Sequence, residues 1–176
     1  MEEKEHILAA QKDPQAFRYF YEKYFKEMFR YIYRKTDDES VTADLTQQVF
    51  LKAMQHIGKF ELRGIPFSSW LYRIASNEVL QYFRDTQKVR VVQVDSSGLQ
   101  DILGDTDAPV DMHRNDQVFA AMRALPAEDL EFIEMRYFEK RSFKDIAEIK
   151  NITENNAKVK VHRILDKIRK RIPAVV

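Results

Sequence analysis

Residues 142–163, SFKDIAEIKNITENNAKVKVHR, contain the signals of two short helices joined by a tight turn. Ser142 with Asp145 three residues later is typical of a helix N-terminus, because the two residues can satisfy each other's backbone N–H groups. Asn151 tolerates the left-handed backbone that a tight turn needs, and Thr153 can cap the helix that follows it. The stretch therefore predicts a helix-turn-helix.

The second helix of this motif separates apolar from polar residues. At helical spacing its inward positions are Ala157, Val161, Ile164, Leu165 and Ile168. The outward positions are Asn155, Asn156, Lys158, Lys160, His162 and Arg163. The lysines alone fit a solvated basic face as well as they fit DNA. Together with the capped first helix and the short turn the pattern favours DNA, since Asn and Lys suit base edges and phosphates in a major groove.

The composition of the chain indicates a globular helical protein. Of 176 residues, 44% are hydrophobic and 32% charged, and only four Gly and five Pro are present, which is few for the turns of an all-β fold. The absence of cysteine excludes disulfides and thiol catalysis and suits a reducing compartment. The charged start resembles no signal peptide, and no stretch approaches the roughly 20 apolar residues of a membrane span. We therefore expect a cytoplasmic protein.

Three helices are predicted in the N-terminal half. The first follows an Asp13-Pro14 start signal, the second ends near Gly58, and the third runs from about Ser68 to Asp85. A loop over residues 59–66 precedes the third helix. On the first helix, one apolar face is expected to contain Phe17, Phe20, Tyr21, Tyr24, Phe25, Met28 and Ile32.

The helical pattern is lost between residues 91 and 111. Five Asp and no Lys or Arg occur over 91–112, with Ser, Gly and Pro between them, which is typical of a flexible linker. The chain then ends on a basic segment, because residues 156–172 contain seven Lys or Arg and one Asp. We predict an all-α protein of two small helical domains, 1–90 and 115–176, joined by a flexible acidic linker over 91–114.

Five stretches, in this order and spacing, closely resemble the extracytoplasmic-function (ECF) group of sigma factors in the sigma-70 family. They are Asp13–Phe17, Ala43–Gln47 with Val49-Phe50, Phe67–Ala75 with Asn77, Leu125-Pro126 and Ser142–Ala147. The resemblance implies a non-enzymatic subunit that binds RNA polymerase core and promoter DNA without a cofactor. Relatives are commonly held by an anti-sigma factor. The resemblance also implies that the acidic linker passes through channels of the polymerase. The sequence of the linker fits a solvated spacer equally well.

The resemblance also implies roles for individual residues. Core polymerase binding is expected of Asp44, Gln47 and Gln48. Binding of the minus-10 promoter element is expected of Arg63, Ile65, Trp70, Arg73, Asn77 and Tyr82. Binding of the minus-35 element is expected of Asn155, Asn156, Lys158, Lys160, His162 and Arg163. Val159 replaces a small polar residue that is common in relatives.

Two other classes of function remain as alternatives. An enzyme or metal protein is disfavoured, because the carboxylates over 37–39 lack a partner His or Gly-rich loop and the four His lack ligand spacing. A freestanding helix-turn-helix regulator is the stronger alternative. It would need a ligand-binding or receiver domain or a dimerising helix, and residues 1–90 show no clear sign of one.

Overall fold

The computed structural model describes residues 2–104 and 112–173, and every regular element in these two ranges is helical. This confirms the all-α class. The chain divides into two compact units, Met1–Val91 and Val92–Val176. Within the described ranges no helix combines the length and the apolar character that crossing a membrane requires.

The N-terminal unit contains four α-helices and two short 3₁₀ turns. They are α1 (Glu3–Lys12), a 3₁₀ turn (Pro14–Phe17), α2 (Arg18–Thr36), α3 (Glu39–His56), a second 3₁₀ turn (Ile57–Lys59) and α4 (Phe67–Thr86). The predicted start signal is confirmed, because the Asp13 side chain accepts a hydrogen bond from the Gln15 N–H at 2.9 Å. Asp38 caps α3 in the same way, accepting from the Val41 N–H at 2.9 Å.

Helices α2, α3 and α4 enclose the core of this unit. Its side chains with at most 1% exposure include Phe20, Met28, Ile32, Val49, Ala53, Phe67, Leu71, Ala75 and Val79. The Phe20 and Phe67 rings, on α2 and α4, have centroids 4.1 Å apart. All three helices contact one another, so they form a three-helix bundle around this core.

The C-terminal unit contains the predicted helix-turn-helix. Its helices are α5 (Ser96–Leu103), α6 (Met112–Arg123), α7 (Ala127–Ile133) with a π-helical turn (Glu134–Phe138), α8 (Phe143–Lys150) and α9 (Glu154–Lys170). Ser142 and Asp145 form the expected capping box at the start of α8. Asn151 ends α8 with a left-handed φ of 56°, and Thr153 caps α9. These local predictions are confirmed.

Helix α5 lies within the segment that the sequence analysis assigned to the linker. Its two ends are fixed by Asp95, which accepts from the Gly98 N–H at 2.6 Å, and by Gly104 with φ 76°. Leu99 and Ile102 are buried, and a Cβ at Gly98 would lie 2.7 Å from the ring of Phe138, so α5 packs closely on the unit. One helical turn of apolar spacing is too short to recognise in sequence. Residues 105–111, a further part of the expected linker, lie outside the described residues.

Candidate nucleic-acid interfaces

The exposed face of α3 brings together the three residues expected to bind core polymerase. Asp44, Gln47 and Gln48 are all exposed, and at 100° per residue they span an arc of about 100° on the helix. Leu51, 50% exposed, lies within the same arc. This "α3 stripe" (Asp44, Gln47, Gln48 and Leu51) is therefore a continuous surface available to a partner.

On the α2 side of the α3 stripe lies a column of four aromatic rings, of which Phe29 and Tyr33 were not singled out by the sequence analysis. Tyr21, Phe25, Phe29 and Tyr33 follow one another every four residues, with ring centroids 5.1, 5.9 and 6.4 Å apart. Tyr21 is 41% exposed and Tyr33 39% exposed. Tyr21 was predicted on the same apolar face as Phe20 and Tyr24, but it lies at the exposed edge of that face, and Phe25 is only half-buried. We call these four residues the aromatic ladder, whose signal in sequence is the spacing of four.

On the α4 side of α3 the structure contains a cleft of about 510 Å³. The residues that line it are Lys52, His56, Lys59, Trp70, Ile74, Asn77, Glu78 and Gln81. One wall consists of basic side chains from α3 and the 3₁₀ turn after it. The other wall is α4, with one aromatic ring and amide side chains. Trp70 and Asn77 were predicted for this site, whereas His56, Lys59 and Gln81 were not.

Packing and hydrogen bonds hold both walls of the cleft. The half-buried Trp70 ring lies 5.2 Å from the Phe60 ring centroid and 5.4 Å from that of Phe67. Lys52 forms an ion pair with the largely buried Glu78 carboxylate, which ties α3 to α4. His56 Nδ1 lies 2.8 Å from the Lys52 carbonyl oxygen, which can only accept, so Nδ1 donates in this contact. The ring is thus oriented by its own helix.

The remaining predicted minus-10 residues lie outside the lining of the cleft. Arg63 and Ile65 belong to the loop before α4, where Arg63 Nε pairs with Glu61 at 2.5 Å and Gly64 adopts a φ of 81°. Arg73 is half-buried on α4, and burial lowers the pKa of its guanidinium. Tyr82 lies about 120° around α4 from Trp70. The structure therefore gathers two of the six predicted residues into one cleft.

The loop before α4 is anchored at its start by α1. The Gln11 side-chain amide donates to the carbonyl oxygens of Ile57 at 3.0 Å and Phe60 at 2.9 Å. Phe60 itself is buried, with 7% exposure. The first residue of the loop is therefore fixed, while residues 61–64 are exposed.

In the C-terminal unit, four predicted residues share the exposed face of α9. Asn155 and Asn156 lie in its first turn, and His162 and Arg163 lie two turns further along. All four are exposed. Val159 lies between the two pairs and is 38% exposed. This "α9 face" (Asn155, Asn156, Val159, His162 and Arg163) is the candidate surface for duplex DNA.

The two predicted lysines lie at the edges of the α9 face. Lys158 Nζ is 5.8 Å from the Phe143 ring centroid, on the α8 side. Lys160 is half-buried, with Nζ 3.7 Å from Glu128 and 3.9 Å from Asp129 at the start of α7. Lys160 was expected to face freely outward. The acidic first turn of α7 attracts it instead, and this attraction is visible only once α7 and α9 are packed together.

A buried ion pair joins the first helix of the helix-turn-helix, α8, to the preceding helix α7. Glu131 on α7, fully buried, pairs with Lys150 at the end of α8, whose side chain is 9% exposed. Ile146 and Ile149 pack beside them with at most 1% exposure. The orientation of α8 relative to α7 therefore depends on a charged contact that water hardly reaches.

Two family models match this chain, and each match lies within one of these two units. Sigma-70 region 2 matches residues 20–89, which include the cleft, and Sigma-70 region 4 matches residues 115–168, which include most of α9. Together they cover more than two thirds of the chain. A region 2 bundle followed by a region 4 helix-turn-helix defines a two-domain bacterial sigma factor.

The curated relatives and a solved structure narrow this class. The chain is 26% identical over 160 residues to the ECF RNA polymerase sigma factor BldN of Streptomyces coelicolor, covering 90% of this chain and 61% of BldN. It is 26% identical over 170 residues to the ECF RNA polymerase sigma factor SigW of Bacillus subtilis, covering 91% of this chain and 90% of SigW. The structure of CnrH in complex with the cytosolic domain of CnrY shares the fold, with a TM-score of 0.55 and 15% identity over 94% of this chain and 93% of that one.

The chain belongs to the sigma-70 family, and within it to the ECF group. It is a promoter-recognising sigma factor and not a freestanding regulator, so the predicted family and class of function are confirmed. Sigma factors are initiation factors without enzymatic activity.

Proposed function

We propose that the cleft and the α9 face divide promoter recognition between them, the cleft binding the opened minus-10 strand and α9 the minus-35 duplex. The observation that carries this proposal is the composition of the cleft, in which Trp70 and Asn77 lie opposite three basic side chains. An aromatic ring can stack on a base, and an amide can hydrogen-bond to the edge of that base. Basic side chains can bind the phosphates of the same strand. These are the groups that single-stranded DNA requires.

The other predicted minus-10 residues extend this binding path beyond the cleft. Arg63 and Ile65 lie on the loop that leads into α4, and the exposed part of that loop can follow the strand. Arg73 and Tyr82 lie on either side of the cleft-facing side of α4. In this proposal they contact neighbouring nucleotides, while the cleft holds a single base.

The energies show why the polymerase is needed. Opening about ten base pairs costs well over ~10 kcal/mol, at about 1.4 kcal/mol per stacking step. Stacking one base on an aromatic side chain returns only about 1–3 kcal/mol. The cleft therefore captures a base from a bubble that the larger enzyme opens, and the chain acts only after it has bound core polymerase.

Core binding is assigned to the α3 stripe. Asp44, Gln47 and Gln48 provide one carboxylate and two amides on a single exposed face, with Leu51 as an apolar contact between them. Around α3, the stripe lies between the side that contacts the aromatic ladder through Phe50 and the side that lines the cleft. Polymerase bound there would lie beside the cleft and leave its α4 wall accessible.

The aromatic ladder is assigned to a regulatory protein of the anti-sigma kind. Its exposed tyrosines, Tyr21 and Tyr33, form a mainly apolar surface adjacent to the α3 stripe. A partner that buries this surface would hinder core polymerase sterically. CnrH, which shares the fold, was solved in complex with the cytosolic domain of CnrY. We place the protein in the cytoplasm, with no enzymatic activity and no cofactor of its own.

Reconstituted transcription tests this assignment. Purified protein is mixed with sigma-free core polymerase and genomic DNA, and the transcripts are sequenced. The proposal predicts discrete start sites that share two upstream elements. N77A should abolish most of this initiation while the variant still co-elutes with core, because Asn77 is exposed and not part of the core of its unit.

Lys26→Ala is the matched control, since Lys26 is an exposed residue of α2 outside the cleft and the α3 stripe. It should initiate as the unaltered chain does. If N77A and W70A both initiate normally, the N-terminal unit only docks on a partner protein, and the assignment of the cleft to the promoter is wrong.

A further inference from the structure

The exposed face of α9 contains an apolar side chain at its centre. Val159 is 38% exposed and lies about 180° around the helix from the buried Ile168. Among the described residues of α9 it is the apolar side chain that faces outward with the polar ones. Asn155 precedes it by one turn and Arg163 follows it by one turn.

The position of Val159, more than its exposure, suggests a role in recognition. Single exposed apolar residues are common on protein surfaces. Val159, however, lies at the middle of the surface that would enter the major groove. A helix of about 10–12 Å diameter fills a groove about 12 Å wide, so the residues on its outermost line come closest to the base edges.

Only one base presents an apolar group in the major groove. Thymine has a C5-methyl group there, whereas the edges of guanine, cytosine and adenine present hydrogen-bond donors and acceptors. Valine can neither donate nor accept, so a polar edge facing it would lose its water without gaining a partner. Its two methyl groups are held in one preferred rotamer in a helix, which fixes their direction.

We propose that Val159 recognises a thymine of the minus-35 element through contact with the C5-methyl group. The inference rests on the proposed function of α9 and adds a specificity-determining residue to it. Asn155 and Asn156 lie beside Val159 towards the N-terminus of α9. They can bond the edge of an adjacent base pair, and asparagine pairs well with adenine. The centre of the recognised sequence should therefore be rich in A·T pairs.

Replacement of thymine by deoxyuridine tests this contact, because it removes the methyl group and keeps every hydrogen bond. Holoenzyme formed from the full chain and core polymerase is bound to a promoter identified by start-site mapping. Each thymine of the minus-35 element is replaced in turn. Burial of one methyl group corresponds to about a fourfold change in affinity. We expect a loss of that size at one position, or at two adjacent positions.

Variants at position 159 assign the effect to this side chain. V159A should bind thymine and deoxyuridine equally at the sensitive position, while V159I should keep the preference. Because Val159 is exposed, both variants should unfold at the same temperature as the unaltered chain. An unchanged preference in V159A would overturn the inference, and so would a minus-35 element without any sensitive thymine.

N155A and R163A separate this inference from the function on which it rests. If either variant weakens binding to the minus-35 duplex while the deoxyuridine scan shows no effect, α9 reads DNA without Val159 and only the inference fails. If neither variant changes binding and the scan is also flat, the assignment of α9 to the minus-35 element fails as well.

Discussion

The candidate DNA-binding surface of the N-terminal unit is a cleft between two helices, whereas that of the C-terminal unit is the outer face of one helix. In the cleft, Trp70 and Asn77 of α4 lie opposite Lys52, His56 and Lys59. On the α9 face, Asn155 and Arg163 are accessible to a flat or grooved surface. A base must leave its stack to enter a cleft, while a helix face can read a base pair in place. Under the proposed function, the shape of each surface would therefore select the state of the DNA that it binds.

The two surfaces also differ in how their charges are arranged. Lys52 is tied to Glu78 within the cleft wall, and Lys160 is held by Glu128 and Asp129 beside the α9 face. In both units a lysine at the candidate DNA-binding surface is partly neutralised by its neighbours. A count of basic residues therefore overstates the number of phosphates that each surface can bind.

The largest expected effect is the selective unfolding of the C-terminal unit. E131A leaves Lys150 buried without its carboxylate, and breaking such a pair costs about 3–5 kcal/mol. This is a large part of the stability of a small domain. Binding to the minus-35 duplex should be lost, while binding of core polymerase and of the opened minus-10 strand is retained.

Unfolding in urea measures this loss unit by unit. The chain has a single Trp, Trp70, so its fluorescence reports the N-terminal unit, while circular dichroism reports both. In E131A, the part of the circular dichroism transition that comes from the C-terminal unit should move to a lower urea concentration, and the rest should not move. D166A, at an exposed position of α9, is the control and should change neither signal much. An equal shift of both signals in E131A would show that the two units are not independent.

The second prediction sets one DNA-binding surface against the other. W70A should weaken holoenzyme binding to a single-stranded minus-10 oligonucleotide by about 10- to 100-fold, since one stacked base is worth about 1–3 kcal/mol. Its binding to minus-35 duplex should be unchanged. R163A should show the reverse pattern in the same filter-binding measurement. Equal losses on both DNAs for either variant would contradict the division of labour.

The third prediction concerns charge on and beside the α9 face. Binding to duplex DNA weakens with salt by a logarithmic slope of about 0.9 per phosphate contact. R163A and K158A should each reduce that slope by about one, because both side chains are exposed. K160A should reduce it less, since Lys160 is already paired with Glu128 and Asp129. Equal changes for all three variants would show that DNA displaces the acidic partners of Lys160.

The smallest expected effect concerns α5, which the structure adds to the C-terminal unit. D95A removes a helix cap and should destabilise this unit by about 1 kcal/mol. The hydrogen bond from the Gly98 N–H lowers the pKa of Asp95 in the folded state. Its stabilisation is therefore complete above the ordinary aspartate pKa of about 3.9 and disappears as the pH falls through the folded value.

Urea unfolding of D95A across this pH range checks both statements. The difference from the unaltered chain should be present at neutral pH and vanish in acid, with the Trp70 fluorescence transition the same in both proteins. A difference that persists below the pKa of Asp95 would mean that the carboxylate charge is not what caps α5.

The elements that could be predicted from sequence are those fixed by local signals. Ser142, Asn151 and Thr153 act on backbone atoms within a few residues, so the helix-turn-helix follows from its own sequence. Helix α5 has comparable caps, but its apolar pattern covers only about one turn, and composition suggested a linker. Its stability depends on Phe138, forty residues away.

The surfaces depend on packing and were predicted only in part. Helical spacing placed Tyr21 on an apolar face, but its ring contacts Phe50 of α3 at the edge of the bundle and stays 41% exposed. His56 and Lys59 line the cleft because α4 lies opposite them. Family resemblance supplied Trp70 and Asn77, yet nothing in the local sequence shows which residues of α3 would face them.

Site-specific photo-crosslinking tests the central claim most directly. A benzophenone side chain replaces either Gln81, in the cleft, or Arg163, on the α9 face. Each variant is assembled into holoenzyme and bound to duplex promoter DNA. The two surfaces are then compared in closed and in open complexes. We predict that position 163 crosslinks to the minus-35 duplex in both complexes, and position 81 to the minus-10 strand only after opening. Crosslinking of position 81 to duplex DNA in the closed complex, or only to polymerase in the open one, would contradict the assignment of the cleft to an unstacked base.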